Sequence, residues 1–128
     1  MKETPVAQRV QLEAARLGIL TMRNNVGACQ DATGRFIRYG LMNESAKINA
    51  TVKSSDYIAI TPTLITSEMV GYSLGVFTAI ETKSSNWVFN PSDERAVAQL
   101  KFHDIVRQYC GFAGFATSPA DVARICRR

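Results

Sequence analysis

Acidic residues and a lysine stand beside two apolar segments of the sequence, in positions where they can act on one substrate. Asp56 precedes one apolar run, and the sequence Glu81-Thr82-Lys83 follows another. Because side chains alternate between the two faces of a strand, Glu81 and Lys83 are expected to point the same way. If the two strands pair, Asp56 lies beside Glu81, and two carboxylates meet one ammonium group.

These groups are suited to hydrolysis of a phosphodiester. Asp56, Glu81 and the carbonyl of Thr82 are candidate oxygen ligands for Mg²⁺ or Mn²⁺. A bound ion polarises the phosphate and activates water, while Lys83 orients that water or neutralises the charge that builds on the phosphate. An acid two residues before a lysine also occurs by chance. The apolar run before Glu81 favours the functional interpretation, because charges without a role are costly at the end of a buried strand.

The hydrophobic pattern predicts a mixed α/β fold with a central mixed β-sheet flanked by helices. The predicted order is a helix over 4–17, extended segments at 19–22 and 35–39, strands at 56–60 and 76–83, a helix, a strand at 112–116 and a short helix that Ser118 caps. The polar stretch 43–55 is predicted to be a loop. We find no break in composition that would indicate a second domain, so residues 1–128 are predicted to form one.

The second long helix is predicted to start with Asn90 as its cap and Pro91 in its first position. Its apolar stripe consists of Ala98, Phe102, Ile105, Val106 and Tyr109. His103 does not belong to that stripe and is predicted to be at the surface or half-buried. The three cysteines, Cys29, Cys110 and Cys126, are expected to be small buried residues.

Composition excludes several classes of function. One histidine and three widely spaced cysteines argue against a multi-histidine zinc site, a zinc knuckle and a disulfide framework. No phosphate-binding glycine loop occurs, so a nucleotide cofactor is not expected. No apolar window is long enough for a membrane span, and the N-terminus lacks a secretory pattern, so we expect a cytoplasmic protein of a bacterial cell or a phage-infected host. The net charge of +4 is compatible with a nucleic-acid partner.

Further sequence features occur in a fixed order along nearly the whole chain. They are the segments 23–28, 34–41, 54–56, 75–77 and 80–83, followed by Gln99 and Phe102. This ordered set resembles the VRR-NUC family of the PD-(D/E)XK nuclease superfamily. The resemblance implies a restriction-endonuclease-like core and metal-dependent cleavage of DNA. It also implies a homodimer that cuts branched DNA such as Holliday junctions.

The resemblance also assigns roles to individual residues. Asp56 and Glu81 match the metal-binding acids, Lys83 matches the catalytic lysine, and Gln99 matches a glutamine in the helix that follows. The family has a further glutamate in its first helix, for which Glu3 is the preferred match and Glu13 a competitor. Many members have an aliphatic residue where this chain has Thr82. We expect little effect, because that side chain points away from the metal.

Basic residues of the first half are interpreted as a surface that follows DNA phosphates. The assigned contacts are Arg23, Asn25, Arg35 and Arg38, while Lys47 and Lys53 stay open. Trp87 and Phe89 either contact DNA or a partner subunit, or cap the core. The alternative function is a non-catalytic nucleic-acid-binding module that keeps the nuclease-like fold. The intact acid-acid-lysine set argues against it.

Overall fold

A computed structural model of the chain describes residues 3–127, and their side chains from residue 5 onward. Within that range the fold is mixed α/β, as predicted, with four α-helices and three two-stranded sheets. The elements are α1 (Glu3–Arg16), β1 (Leu20–Arg23), β2 (Gly27–Gln30), β3 (Phe36–Tyr39), α2 (Ala46–Thr51), β4 (Tyr57–Ile60), β5 (Thr78–Thr82), α3 (Glu94–Gln108), β6 (Phe112–Ala116) and α4 (Ala120–Cys126). The chain divides into two compact units, unit 1 (Met1–Ala59) and unit 2 (Ile60–Arg128). No helix within residues 3–127 is long and apolar enough to cross a membrane.

In unit 1, strand β1 pairs with β4, and β2 forms an antiparallel hairpin with β3. The hairpin turn is organised by Asp31, whose Oδ1 accepts hydrogen bonds from the backbone N–H of Thr33 and of Arg35, both at 2.9 Å. Gly34 adopts a positive φ of 82° there, a conformation that glycine tolerates without strain. The helix over 4–17 was predicted from apolar residues at helical spacing, among them Val6 and Val10. These two side chains lie at the surface, since Val6 is 44% and Val10 52% exposed.

The prediction of a loop over 43–55 is wrong, because the segment contains α2. Its N-cap is Ser45, whose hydroxyl accepts a hydrogen bond from the backbone N–H of Ile48 at 3.2 Å. A serine cap satisfies one of the N–H groups that the first helical turn leaves free. The helix has six residues, too few for an apolar period to show in a polar sequence.

Unit 2 has a small hydrophobic core between one parallel strand pair and two helices. Strands β5 and β6 pair with Thr78 opposite Phe112 and Thr82 opposite Ala116. Helices α3 and α4 both contact β6, and the buried apolar side chains of these elements are Ala96, Val106, Ala113, Ala116 and Ile125. Gly114 permits the close approach of α4, because a Cβ there would lie 2.9 Å from Cγ1 of Ile125.

The bounds of α3 and β5 differ from those predicted. Helix α3 starts later, because Asp93 is its N-cap and accepts hydrogen bonds from the backbone N–H of Arg95 (3.1 Å) and of Ala96 (3.2 Å). The Asn90 side chain instead accepts a hydrogen bond from the N–H of Ser92 within the preceding turn. Strand β5 begins at Thr78, two residues after the predicted start.

Two predictions of burial are wrong. The face of α3 that is buried carries Ala96, His103 and Val106, whereas Phe102 and Ile105 of the predicted stripe are 39% and 41% exposed. His103 is therefore a core residue, only 2% exposed. The cysteines are not buried as expected either, because Cys29 and Cys110 are exposed and Cys126 is half-buried.

The cap predicted for the last helix is also wrong. Helix α4 begins at Ala120, and no side-chain cap bond forms at its start. The carboxylate of Asp121 accepts a hydrogen bond from the backbone N–H of Thr117 at 2.8 Å. This bond is the main cause that lowers the pKa of Asp121, and Arg124 nearby acts in the same direction.

Candidate functional site

The end of β5 carries the acid and lysine singled out in the sequence. Oε1 of Glu81 lies 4.0 Å from Nζ of Lys83, so the two side chains share a face, as strand alternation predicts. The backbone N–H of Lys83 donates to the carbonyl of Ala116 at 2.9 Å, which extends the pairing of β5 with β6 by one residue. The Lys83 side chain is 15% exposed and that of Glu81 36%, so the ammonium is the more buried of the two groups.

An aromatic cluster holds the Lys83 ammonium. Nζ lies 5.5 Å from the ring centre of Trp87 and 5.9 Å from that of Phe115, within the range of cation–π attraction. Trp87 and Phe89 pack against Phe115, with ring centres 4.7 and 6.1 Å away. Both aromatic residues therefore pack within unit 2, which confirms that part of the prediction, and contact with DNA or a partner subunit stays a prediction.

A cavity of about 350 Å³ opens beside this pair. Its lining consists of Glu81, Arg95, Ala98, Gln99, Phe102 and His103. Two of these residues carry a buried polar atom, Oε1 of Gln99 and Nδ1 of His103, for which the described part of the chain offers no hydrogen-bond partner. Such atoms are uncommon because each costs about 1–3 kcal/mol relative to hydration.

His103 is held between the cavity and the aromatic cluster. Its ring centre lies 4.7 Å from that of Phe115, in an edge-on contact. Burial lowers the pKa of His103, and Arg107 acts in the same direction against the smaller opposing effects of Glu81 and Asp104. These surroundings therefore favour the neutral imidazole. Periodicity gave no signal for this position, because His103 lies outside the apolar stripe predicted for the helix.

The donors in this cavity fit a divalent cation. Glu81 supplies a carboxylate, and Gln99 supplies an amide oxygen that is buried without a partner. Both are oxygen ligands that hard cations accept. Thr82, the third predicted ligand, lies on the same strand and offers its backbone carbonyl. Among the described residues, no group of three His, Cys, Asp or Glu side chains is placed to hold a metal ion.

Asp56 lies in unit 1 and lines a second, polar cavity of about 470 Å³. The other lining residues are Arg23, Asn24, Asn25, Val26, Tyr39 and Ser54. Nε of Arg23 donates to Oδ1 of Asn25 at 2.9 Å, and its guanidinium lies 5.8 Å from the ring centre of Tyr57. Two residues assigned to DNA, Arg23 and Asn25, thus share a cavity with the predicted metal ligand Asp56.

The remaining basic residues lie on or beside the β2–β3 hairpin. Nη1 of Arg38 donates to Oδ1 of Asn43 at 3.2 Å, and its guanidinium lies 5.3 Å from the ring centre of Phe36. Arg35 is exposed at the hairpin turn. Asn43 was not singled out from the sequence, yet it is 4% exposed and its amide donates to the carbonyls of Gly27 (2.7 Å) and Tyr39.

The predicted catalytic residues are therefore distributed over both units. Unit 2 brings Glu81 together with Lys83 and, across the cavity, with Gln99, whereas Asp56 belongs to unit 1. Convergence of Asp56 with Glu81 stays a prediction. Glu3 is the first residue of α1, and its side chain lies outside the described ones. Its competitor Glu13 accepts a hydrogen bond from Nε of Arg16 at 2.9 Å, which lowers the pKa of Glu13.

Comparison with known proteins gives no family assignment. No protein-family model matches the chain, and no curated protein or solved structure is significantly similar to it. Function is therefore inferred from the side chains that line the two cavities.

Proposed function

We propose that the protein is a divalent-metal-dependent DNA endonuclease with a restriction-endonuclease-like core, related to the VRR-NUC family. One observation carries the proposal. The carboxylate of Glu81 and the ammonium of Lys83 lie 4.0 Å apart at the end of β5, beside a cavity that holds the unpartnered amide oxygen of Gln99. An acid, a lysine and a free oxygen ligand in one place match the requirements of phosphodiester hydrolysis.

In this proposal each residue has a defined task. Glu81 and Asp56 bind Mg²⁺ or Mn²⁺, with help from the Thr82 carbonyl and an acid of α1, either Glu3 or Glu13. When bound, the ion polarises the phosphate and lowers the pKa of water. Lys83, held by its aromatic neighbours, orients the attacking water or neutralises charge on the phosphate.

The DNA substrate is assigned to the basic side chains of unit 1. Arg23, Arg35 and Arg38 bind phosphates, and Asn25 positions Arg23 through the hydrogen bond between them. The proposed substrate is branched DNA such as a Holliday junction. Cutting two strands of a junction requires two active sites, and a symmetric homodimer supplies them with one chain. The proposed location is the cytoplasm of a bacterial cell or of a phage-infected host.

The decisive experiment compares Glu81→Gln with the wild-type chain and with Glu68→Gln, which changes an exposed acid of the same unit. Each protein is incubated with labelled junction and linear duplex, in Mg²⁺, in Mn²⁺ or in EDTA. We expect Glu81→Gln to cut at least about a hundredfold more slowly, because a ligand of the activating ion is lost. Binding of the junction should persist, and Glu68→Gln should cut like the wild type.

Other outcomes separate the alternatives. Equal cutting by Glu81→Gln and wild type would refute the assigned site. Binding of junctions by the wild type without cutting in either metal would identify a non-catalytic nucleic-acid-binding module. A sedimentation experiment tests the homodimer, which should have twice the mass of one chain. A monomer that cuts both strands of a junction would contradict it.

A further inference from the structure

The cavity beside Glu81 contains one donor that the proposed nuclease mechanism does not use. Besides the carboxylate of Glu81 and the amide oxygen of Gln99, it is lined by His103. Nδ1 of this imidazole is buried and unpartnered, like Oε1 of Gln99. Two of the residues that line the cavity therefore carry a buried polar atom without a partner, and a third carries a carboxylate.

A shared partner would satisfy all three groups. Gln99 and His103 are one helical turn apart on α3 (i, i+4), so their side chains lie on the same face of the helix. A carboxylate oxygen, an amide oxygen and an imidazole nitrogen are all electron-pair donors, and a cation accepts all three at once. Because both α3 residues line the cavity, a turn of the amide or the ring brings the free atom towards an ion inside it.

We propose that Glu81, Gln99 and His103 together bind a divalent metal ion, and that His103 makes this cavity select Mn²⁺ or Zn²⁺ over Mg²⁺. Imidazole is a poor ligand for Mg²⁺, which prefers oxygen and its own water shell, and a good one for later transition metals. The inference rests on the proposed function in one respect, that Glu81 binds a metal, and it does not require that DNA is cut.

Arg95 provides a test of whether the same cavity binds a cation or an anion. Arg95 lines the cavity together with Glu81, and its positive charge repels a cation and attracts an anion. If the cavity binds a metal ion, removal of the positive charge strengthens binding. If it binds an anion instead, the same substitution weakens binding.

The experiment uses His103 as a single spectroscopic probe, since the chain has one histidine. Untagged ¹⁵N-labelled protein is titrated with Zn²⁺ and, separately, with Mg²⁺, while NMR follows the two imidazole nitrogens. We expect one nitrogen signal to shift and saturate with Zn²⁺ and to stay in place with Mg²⁺ at the same concentrations. Calorimetry then gives the Zn²⁺ and Mn²⁺ affinities of the variants.

Variants identify the ligands. Glu81→Gln and Gln99→Leu should each weaken Zn²⁺ binding at least severalfold, whereas Gln108→Leu, at an exposed position of the same helix, should leave it unchanged. Arg95→Gln should tighten it severalfold. His103→Gln should remove the preference for Mn²⁺ over Mg²⁺. Because His103 is buried, Gln99→Leu and Arg95→Gln keep the test valid if that variant does not fold.

If neither imidazole nitrogen signal shifts when Zn²⁺ is added, the inference is overturned, even if calorimetry detects binding elsewhere on the chain. Weaker Zn²⁺ binding in Arg95→Gln would overturn it too, in favour of an anion site. Failure of this inference and failure of the nuclease proposal give different results. If the protein binds Zn²⁺ through His103 but cuts no DNA, only the proposed function is refuted. If it cuts DNA but Zn²⁺ does not shift the His103 nitrogen signals, only this inference is refuted.

Discussion

Unit 2 buries apolar side chains, whereas the side chain that unit 1 buries, among residues 5–59, is the polar Asn43. In unit 2 Val106 is 0% and Ile125 5% exposed, and both pack beside β6. In unit 1 the amide of Asn43 instead joins the backbones of β2 and β3 by hydrogen bonds. The buried side chains of unit 2 therefore contribute by packing, whereas the buried side chain of unit 1 contributes by hydrogen bonding.

The cavities of the two units differ in whether their polar side chains are hydrogen-bonded. In the cavity of unit 1, Arg23 is hydrogen-bonded to Asn25, and Asn24 donates to the hydroxyl of Ser54 at 2.8 Å. In the cavity of unit 2, Gln99 and His103 each keep an unpartnered polar atom. Satisfied polar groups maintain a local structure, whereas buried groups without partners indicate a place for a ligand.

The largest effect on stability is expected from a change in the core of unit 2. Val106→Ala should lower the free energy of unfolding by about 2–3 kcal/mol, because two buried methyl groups are lost and a cavity remains. Urea denaturation measures the loss. The matched control is Val88→Ala, since Val88 is 80% exposed and its truncation should cost little. Equal losses in the two variants would contradict a packed core around Val106.

A somewhat smaller effect is expected in unit 1. Asn43→Ala should lower the free energy of unfolding by about 2 kcal/mol, because it removes the buried amide that donates to the carbonyls of Gly27 and Tyr39. Hydrogen exchange of the β2–β3 amides, together with urea denaturation, measures the change. Asn86→Ala, at an exposed position, is the control. An unchanged hairpin in Asn43→Ala would show that polar contacts do not stabilise unit 1.

The proposed division of DNA contacts predicts a third difference. Arg38→Gln in unit 1 should weaken junction binding severalfold and reduce the slope of log affinity against log salt by about 0.9, as expected when one phosphate contact is lost. Lys101→Gln removes the same charge from the exposed face of α3 in unit 2 and should change neither quantity appreciably. Filter binding over a range of salt concentrations provides the comparison. Equal slopes for the two variants would contradict a DNA surface confined to unit 1.

The smallest expected effect is on the pH dependence of stability, to which one carboxylate in each unit contributes. The pKa of Asp31 is lowered chiefly by the hydrogen bond from the Thr33 hydroxyl, and that of Asp121 by the backbone N–H of Thr117. A lowered folded-state pKa stabilises the protein above the unfolded-state value and stops doing so as the pH falls through the folded-state value. Between pH 5 and pH 2, wild type should therefore lose slightly more stability than Asp31→Asn or Asp121→Asn. Thermal unfolding over that range measures the difference, and parallel curves would contradict it.

Local patterns were sufficient to predict most of the elements. The spacing of apolar residues indicated α1 and α3, and short apolar runs indicated β4 and β6. Helix α4 was predicted from a cap signal at Ser118, although that side chain does not cap it. Strand β2 was missed because Gly27, Ala28 and Cys29 have little strand preference of their own, and pairing with β3 fixes their conformation. Helix α2 was missed for its brevity, although Ser45 was a cap signal.

The candidate site was predictable in part for the same reason. Strand alternation is local, so it correctly placed Glu81 and Lys83 on one face. His103 lies on α3, and its burial depends on Phe115 of strand β6 and on the aromatic cluster around that residue. No pattern within α3 carries that information. The cavity that Glu81, Gln99 and His103 line could therefore not be predicted from the sequence.

The exposed thiols described above have a practical consequence. Cys29 is in unit 1 and Cys110 in unit 2, so each unit already carries one natural attachment point for a spin label or a fluorophore. With the half-buried Cys126 replaced by serine, a doubly labelled chain reports the separation of the two halves directly. Dipolar spectroscopy measures the distance between the two labels. Its comparison in Mg²⁺, with and without junction DNA, would show whether the substrate brings the acid of one unit closer to that of the other.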